Sequence, residues 1–231
     1  RGKEFLEIIK NLEIILADAG STDGTIALAK RLNCKIVKGG LPAKGRNEGA
    51  KASQRELLLF LDADTKLPSE SFLKNILAEF KERKLDIASC LLQPLGVSKT
   101  LSHKTTKLLF EISNFLMRFF EKISPYGVGA IILVKKDIHG KIGGFNENIR
   151  LGEDVAYIKK AIKNNGKFGI LTSGKIFWSI RRLEKEGWLK ITSVYLLSSL
   201  LINFFGEKKL NVFKKGLLEY RFGHYKKSKS R

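Results

Sequence analysis

The chain is poor in cysteine and histidine. Its 231 residues include only two cysteines, Cys34 and Cys90, which lie far apart, each within an apolar stretch. A disulfide framework or a zinc knuckle needs several cysteines at close spacing, so the sequence excludes both. The three histidines, His103, His139 and His224, are equally isolated and lack the spacing of metal ligands.

Acidic residues are also scarce. Asp and Glu total 23 against 43 Lys and Arg, which gives a formal net charge of +20. Such a charge favours an anionic partner: nucleic acid, an acidic membrane surface or a phosphorylated substrate. The positive charge is dispersed and accompanies no recognised nucleic-acid-binding motif, so we expect no nucleic-acid partner. A basic nucleic-acid-binding module remains an alternative on composition alone.

The chain has no long uninterrupted hydrophobic run. Its most apolar stretch, 188–206, is broken by Lys190 and by Ser and Thr, and it stands at the margin of the ~20 residues that a membrane span requires. Cationic flanks and terminal aromatic residues favour an interfacial helix there, and a packed helix and a true span are the alternatives. Residues 221–231 form a basic tail.

What the sequence does contain is a repeated pattern of strand and helix. Hydrophobic residues are 43% and charged residues 29%, which excludes a disordered chain and fits one globular α/β domain. Apolar runs predict strands and helices that alternate along the first ~95 residues. The predicted strands are 12–17, 34–38, 57–61 and 86–92, the helices are 26–32, 46–54 and 72–80, and 39–45 is a loop. This alternation predicts a mostly parallel sheet with helices on both faces.

The second half has a different character. One long amphipathic helix is predicted, with an apolar face of Leu108, Ile112, Phe115, Leu116, Phe119, Phe120 and Ile123 and a polar face of Lys107, Glu111, Asn114, Arg118 and Lys122. A glycine-led strand at 127–134, a turn at 143–147 and a helix that begins at 152 are predicted after it.

Two carboxylates, Asp62 and Asp64, directly follow the buried strand 57–61. Ligands of α/β sheets gather beyond the carboxyl ends of the strands. Paired hard oxygen ligands at that edge suit Mg²⁺ or Mn²⁺ completed by substrate phosphates. A solvated acidic turn is the alternative, because short acidic motifs occur often by chance.

Five motifs in order resemble the inverting family 2 glycosyltransferases. They are Asp18-Ala19-Gly20-Ser21-Thr22-Asp23-Gly24-Thr25, Lys44-Gly45-Arg46-Asn47-Glu48-Gly49-Ala50, Asp62-Ala63-Asp64, Ile142-Gly143-Gly144-Phe145-Asn146-Glu147 and Gly152-Glu153-Asp154. The resemblance covers about residues 12 to 182. It implies a GT-A fold, which is a Rossmann-like, mostly parallel sheet flanked by helices, here followed by an amphipathic and apolar helical region.

The resemblance also implies a domain organisation. We expect a glycosyltransferase domain at 1–182, with a nucleotide-sugar half at 1–95 and an acceptor half at 96–182, and a membrane-associated helix and basic tail at 183–231. The family's first strand and its Asn-Glu loop have no evident counterpart before the strand at 12–17. The donor pocket is therefore expected to be incomplete in the sequence as given.

Roles in donor and metal binding follow from the resemblance. Asp18 matches the position that bonds the donor base, with Ser21 in the same loop, and Arg46 falls in the segment that lines the nucleotide pocket. Asp64 is the expected metal ligand, and Asp62 contacts the ribose or the metal. From the residues alone, Asp18 could be a turn former and Arg46 a solvated helix charge.

Catalytic roles follow in the same way. Asp154 resembles the general base, with Glu153 as its neighbour, and Gly127 and Gly129 open space beside the donor sugar. The alternatives are an acidic pair favoured by the helix dipole for Glu153 and Asp154, and a bulge or tight packing for the two glycines.

The expected function is metal-dependent, inverting sugar transfer from a nucleotide-sugar, with a UDP-sugar favoured, to a hydroxyl of a lipid-linked or cell-envelope glycan. Mn²⁺ or Mg²⁺ is the expected cofactor. The expected location is cytoplasmic, peripheral at the inner face of the cell membrane, with an anionic membrane surface as partner. Two further hypotheses stay open: an inactive or truncated relative that acts as a binding partner, and a nucleotidyltransferase.

Overall fold

A computed structural model describes residues 12–193, which form alternating strands and helices. The strands are β1 (Ile15–Asp18), β2 (Lys35–Lys38), β3 (Leu57–Leu61), β4 (Thr65–Lys66), β5 (Ile87–Leu95), β6 (Ile131–Lys135) and β7 (Phe168–Ser179). The helices are α1 (Thr25–Arg31), α2 (Pro42–Ala52), α3 (Ser71–Glu82), α4 (His103–Phe120), α5 (Lys136–Lys141), α6 (Glu153–Lys163) and α7 (Arg181–Glu186).

The strands form two sheets. β1 and β2 pair in parallel, and the larger sheet has the order β3-β6-β5-β7-β4. In that sheet β3, β5 and β7 run in one direction, whereas β6 lies antiparallel between β3 and β5 and β4 lies antiparallel to β7. The α/β prediction is confirmed, and most strands do share one direction. The inserted β6 nevertheless makes most hydrogen-bonded pairs of the larger sheet antiparallel, which the alternation of strands and helices did not predict.

Side chains at alternate positions of the sheet pack into two separate hydrophobic cores, one on each face. Ile131 and Leu133 of β6 face a core formed with α3 and α4, whereas Ile132 and Val134 face a core formed with α2 and α6. This period-two alternation is what a strand with both faces covered requires. Helices on both faces of the sheet are therefore confirmed.

An irregularity in the β5–β7 pair shapes the functional edge. Cys90 pairs with Leu171, but the next residue, Leu91, pairs with Lys175, so three residues of β7 are left out of the ladder. Gly174 lies in this insertion, where an added Cβ would come within 2.6 Å of the Phe72 ring. Beyond the irregularity, β7 continues until it pairs with β4 and brings Ser179 against the backbone of Asp64.

Some predicted elements need correction. The segment 39–45 was predicted as a loop, but α2 already begins at Pro42, because proline is well tolerated at the first position of a helix. The glycine-led strand begins at Ile131 rather than at 127. The twelve-residue strand β7 was not predicted, since its irregularity interrupts the alternation of apolar residues.

The long helix α4 is rotated about its axis differently from what its predicted polar and apolar faces imply. Asn114 is buried, and the apolar residues around Phe115 are exposed instead. The Asn114 side chain donates to the Leu92 carbonyl at 2.8 Å and accepts the Leu92 N–H at 2.9 Å, so both amide groups are satisfied inside.

Within residues 12–193, no helix is long and apolar enough to cross a membrane. Most of the stretch 188–206 and the whole of the basic tail 221–231 lie outside the described residues, so their predicted behaviour remains a prediction.

Candidate active site

The predicted site residues meet at the edge of the larger sheet where β3 ends and β6 begins. Asp62 follows β3, Gly129 precedes β6, and Asp154 lies in the first turn of α6. Since β6 is antiparallel to β3, the end of one strand lies beside the start of the other, and the Asp62 N–H donates to the Ala130 carbonyl at 3.2 Å. Segments far apart in the sequence thus form one surface.

Arg46 of α2 connects these segments. Its guanidinium donates to Glu153 Oε1 at 2.8 Å, to Asp62 Oδ1 at 2.8 Å and to the Gly129 carbonyl at 3.1 Å. The guanidinium carbon also lies 5.3 Å from the centre of the Phe145 ring. Only 10% of the Arg46 side chain is exposed, so the guanidinium is buried under the site surface and holds these segments together.

Glu153 faces Arg46 rather than solvent. Burial, together with the negative charge of Asp154, raises the pKa of Glu153 to about 7, and Arg46 opposes the shift. A carboxyl group committed to a buried guanidinium is suited to position its neighbours. The geometry therefore supports a positioning role for Glu153.

Asp154 contacts the backbone on the other side of Gly129. Its Oδ2 accepts the Gly129 N–H at 2.6 Å, and its Oδ1 accepts the N–H of Val155 at 2.8 Å. Burial raises the pKa of Asp154, with Arg46 acting in the opposite direction. A carboxylate with a raised pKa is better able to take a proton from a hydroxyl group near neutral pH.

Gly129 is the point where these contacts converge. An added Cβ would come within 2.9 Å of Arg46 Nη2 and 3.0 Å of Asp154 Oδ2, so a side chain would displace one of them. Gly127 differs, because its Cβ would meet Ile158 and Ser89 at 2.7 Å. The geometry favours tight packing at Gly127, which the sequence had left open, and places only Gly129 among the site residues.

Asp62 and Asp64, the expected metal ligands, interact electrostatically with each other. Burial first, and then the charge of Asp62, raise the pKa of Asp64, whereas Arg181 and Arg182 lower it. A bound cation would relieve the repulsion between the two carboxylates. In the described part of the chain, no group of three or more Asp, Glu, His or Cys side chains could hold a metal. If the pair held Mg²⁺ or Mn²⁺, water and substrate phosphate oxygens would have to supply the other ligands.

The loop after β1 contains the predicted donor-base residues. Asp18 Oδ2 accepts the N–H groups of Gly20 at 2.7 Å and of Ser21 at 2.9 Å. Hydrogen bonds from Ser21 and Gly20 lower the pKa of Asp18. Asp18 therefore shapes its own turn, as expected of a turn former, while its loop remains exposed.

This loop follows β1 of the smaller sheet and lies near α2, the helix that carries Arg46. A Cβ added to Gly45 would lie in ordinary contact, 3.6 Å, with the Cβ of Ala17, so α2 passes close to the end of β1. Ala17 precedes Asp18 and Gly45 precedes Arg46, so this contact between β1 and α2 brings the Asp18 loop near the residues around Arg46.

Asn47 is a site residue that the sequence reasoning did not identify. Its side-chain amide donates to the Phe145 carbonyl and to Glu147 Oε1, both at 2.9 Å, and its Oδ1 accepts the Phe145 N–H at 2.8 Å. Asn47 therefore fixes the turn that carries Phe145 beneath Arg46. The signal was present, since Asn47 and Phe145 each lie in one of the five motifs.

A pocket of about 510 Å³ lies beyond the metal carboxylates, at the carboxyl ends of β5 and β7. Its lining residues are Leu95, Gly96, Val97, Lys99, Thr100, Ser179, Ile180, Arg181, Glu184 and Lys185. Glu184 accepts from the hydroxyl groups of Ser98 and Thr100 and from the N–H of Lys99. The pocket therefore has a mainly apolar lining that also includes the cations Lys99, Arg181 and Lys185.

Residues 4–143 match the sequence model of the family described as glycosyl transferase family 2. A curated relative, the poly(ribitol-phosphate) beta-N-acetylglucosaminyltransferase TarS of Staphylococcus aureus, is 25% identical over 182 residues. That match covers 74% of this chain but only 30% of TarS.

Solved structures resemble the same fold at low sequence identity. The mannosyltransferase PcManGT from Pyrobaculum calidifontis, in complex with GDP-Man and Mn²⁺, has a TM-score of 0.64 at 18% identity, covering 85% of this chain and 58% of its own. Residues 1–349 of S. aureus TarS in complex with UDP-GlcNAc have a TM-score of 0.55 at 18% identity, covering 87% and 63%. The chain thus spans less than two thirds of each.

Proposed function

The chain belongs to glycosyl transferase family 2 and is a glycosyltransferase, and from this premise we propose that it transfers sugar with inversion, assisted by a divalent cation. The GT-A fold expected from the sequence is confirmed by the likeness to PcManGT and TarS. We assign the donor to the half formed by residues 1–95 and the acceptor to residues 96–182.

One observation carries the proposal: the backbone of one residue, Gly129, links the proposed base to the proposed metal site. The N–H of Gly129 is bonded to Asp154, and its carbonyl accepts from Arg46, which also holds Asp62. The two carboxylates are therefore tied to the same residue, Asp154 directly and Asp62 through Arg46. Direct displacement needs a base and a leaving-group site that are held in a fixed relation, because the acceptor hydroxyl attacks as the diphosphate departs.

The residues have distinct roles in this proposal. Asp154 accepts the proton of the attacking hydroxyl, and its raised pKa suits that step. Glu153 and Arg46 hold Asp154 and Asp62 in position. Asp62 and Asp64 would hold Mn²⁺ or Mg²⁺, which stabilises negative charge on the departing diphosphate when it is bound.

The donor we propose is a nucleotide-sugar, with a UDP-sugar favoured. TarS has been solved with UDP-GlcNAc and with UDP, whereas PcManGT holds GDP-Man. TarS is also the curated relative, which favours uridine. We assign contact with the base to the Asp18–Ser21 loop, which is exposed and lies near α2, the helix that carries Arg46.

For the acceptor we propose a hydroxyl of a lipid-linked or cell-envelope glycan. The name of TarS describes a poly(ribitol-phosphate) acceptor, in which hydroxyl and phosphate groups alternate. The pocket rimmed by Lys99, Arg181 and Lys185 lies next to Asp64 and suits a phosphate-bearing acceptor. We place the protein at the cytoplasmic face of the cell membrane, in contact with anionic lipid, and assign it no nucleic-acid partner.

The experiment is calorimetric titration of UDP into the protein, with Mn²⁺ and with excess chelator. We expect binding with Mn²⁺ that is lost with chelator and in Asp64→Ala. Asp137→Ala, at an exposed carboxylate of α5, is the matched control and should bind as the wild type does. Release of sugar or its transfer from UDP-GlcNAc is then followed with the same proteins.

Two results would count against the proposal. Equal UDP binding with and without chelator would remove the metal dependence. Failure of folded protein to bind UDP or GDP under any condition would favour the inactive relative that acts through its surface.

A further inference from the structure

Helix α4 presents its most apolar side to solvent. The exposed fractions are 59% for Leu108, 47% for Ile112, 65% for Phe115, 56% for Phe119 and 71% for Ile123. We call these residues, together with Leu109 and Leu116, the outer stripe. Phe115 and Phe119 stack with ring centres 6.1 Å apart, so the stripe includes an aromatic surface. A contiguous exposed apolar surface of this kind usually marks an interaction site.

The rotation of α4 is fixed by its inner side. Thr106, Phe110, Asn114 and Met117 are buried, and Asn114 exchanges two hydrogen bonds with the backbone of Leu92 in β5. Burying the outer stripe instead would break both bonds and leave Leu92 unpaired on that side. The exposure of the stripe is therefore a specified feature of the fold.

A row of cations runs alongside the stripe. Lys104, Lys107, Arg118 and Lys122 are all exposed, and their spacing places them on one side of the helix. Glu111, the carboxylate in that row, is paired with Lys175 of β7. An apolar side bordered by cations is the pattern of a helix that lies in the plane of an anionic membrane surface.

We propose that the outer stripe inserts into the headgroup region of an anionic phospholipid surface, with the adjacent cations contacting lipid phosphates. This names the surface that would act in the peripheral membrane location of the proposed function, and it rests on that part of it. The helical part of the stripe, from Leu108 to Phe119, is about 17 Å long at the rise of an α-helix, and Ile123 in the turn after α4 extends it, so the stripe can contact several headgroups.

Charge argues against a second copy of the chain as the occupant. A symmetric dimer through the stripe would bring the two rows of cations close together, in proteins that each carry a net charge of +20. An anionic lipid surface attracts the same row, at about 1 kcal/mol for each Lys or Arg near the surface.

The proposed surface is also connected to the active site. Asn114 binds Leu92 of β5, and three residues later the Leu95 carbonyl accepts the N–H of Ile180. The adjacent Ser179 N–H donates to the Asp64 carbonyl. A helix lying on lipid would thus hold the metal carboxylates at a set distance from the membrane, as a lipid-linked acceptor requires.

The test is co-sedimentation of the full chain with vesicles of phosphatidylcholine alone and of phosphatidylcholine with about 30% phosphatidylglycerol. We expect binding to the anionic vesicles that is at least about tenfold weaker in Phe115→Glu/Phe119→Glu. Replacing Lys104, Lys107, Arg118 and Lys122 with Gln should weaken binding to a similar extent and remove most of its salt dependence.

Matched controls lie in the β1–α1–β2 unit and in α2. Leu32→Glu changes a leucine that is 62% exposed, and Lys30→Gln/Lys51→Gln removes two exposed cations. Both controls should bind vesicles as the wild type does. In the absence of lipid, the Phe115→Glu/Phe119→Glu variant should keep the Tm of the wild type, because the two side chains are in solvent.

Three results would overturn the proposal. The first is wild-type protein that stays in the supernatant with both kinds of vesicle. The second is a fall of several degrees in the Tm of the double variant without lipid, which would show that other residues of the protein cover the stripe. The third is a dimer by light scattering that the double variant dissociates, which would make a second copy the occupant.

Failure here is distinguishable from failure of the proposed function. UDP binding with Mn²⁺ is measured in lipid-free solution and should be identical in the wild type and the double variant. Vesicle binding without UDP binding would support the lipid-binding surface and contradict the proposed transferase function. UDP binding without vesicle binding would support the transferase function and contradict the lipid-binding surface.

Discussion

Arg46 and Glu153 form a salt bridge of 2.8 Å although 107 positions separate them in the sequence. Both side chains are only 10% exposed. The pair fastens α2, in the proposed donor half, to α6, which carries the proposed base. Through Asp62 and Gly129 the same guanidinium reaches the ends of β3 and β6. The architecture of the site therefore depends on this one side chain.

Arg46→Lys should destabilise the protein although it keeps the charge. One ammonium group cannot span Glu153 and Asp62 as the planar guanidinium does, so at least one buried carboxylate loses its partner. Loss of a partner from a buried ion pair costs about 3 to 5 kcal/mol, and chemical denaturation with and without Mn²⁺ measures it. Arg31→Lys, at the end of α1, is the control, and an unchanged midpoint for Arg46→Lys would show that the network contributes little.

Asp154→Asn should lower sugar transfer by about 10² to 10⁴, the usual contribution of general-base catalysis. The amide keeps the size of the side chain but cannot take a proton, so UDP binding should be preserved. Steady-state transfer and UDP titration separate the two effects. In the wild type, activity should fall with decreasing pH at a value above the ordinary range of Asp, because burial raises the pKa of Asp154. Near-normal turnover in the variant would contradict the assignment.

Much of the site could be predicted because its residues lie in short motifs next to strand ends. Asp62 follows a run of Leu and Phe that could only be a buried strand, and the structure has that strand at Leu57–Leu61 as expected. Asp154 was identified from a motif and Gly129 from the glycine-led segment at 127–134, and the two residues proved to be in contact. In both cases local sequence determines local position at the sheet edge.

Other features could not be predicted from the local sequence. The insertion of β6 between β3 and β5 depends on pairing between distant segments, and its own apolar pattern suits either direction. The role of Asn47 depends on a turn 98 positions away. The apolar side of α4 was identified correctly, but its periodicity does not reveal that the buried side is the one with Asn114. Such relationships require tertiary structure.

The contribution of Glu153 to the stability of the protein should fall as the pH rises from about 4.5 to about 7. Burial and the charge of Asp154 raise the pKa of Glu153 to about 7, so the folded state retains a proton that the unfolded state has lost above its ordinary pKa near 4.5. This contribution therefore decreases with pH across the window, whereas burial lowers the pKa of His139 to about 4 and adds a contribution that increases with pH up to about 6.5. The Tm of the wild type relative to that of Glu153→Gln, a comparison in which the effect of His139 cancels, should fall with rising pH, by about 2 to 4 °C for each kcal/mol of difference. Parallel curves for the two proteins would contradict a raised pKa.

The contrast between Asn114 and Phe115 gives the last prediction, because polarity and burial are reversed at these neighbouring positions. Asn114→Leu would remove the two hydrogen bonds to Leu92 and leave a buried N–H and carbonyl without this partner. We expect a loss of about 2 to 4 kcal/mol in the free energy of unfolding. Phe115→Ser, at a side chain that is 65% exposed, should change it by less than about 0.5 kcal/mol in lipid-free solution. Urea denaturation of the two variants measures both values. If the exposed phenylalanine proved the more costly to replace, the apolar side of α4 would have to be covered by protein in solution, and the lipid surface proposed for it would be lost as well.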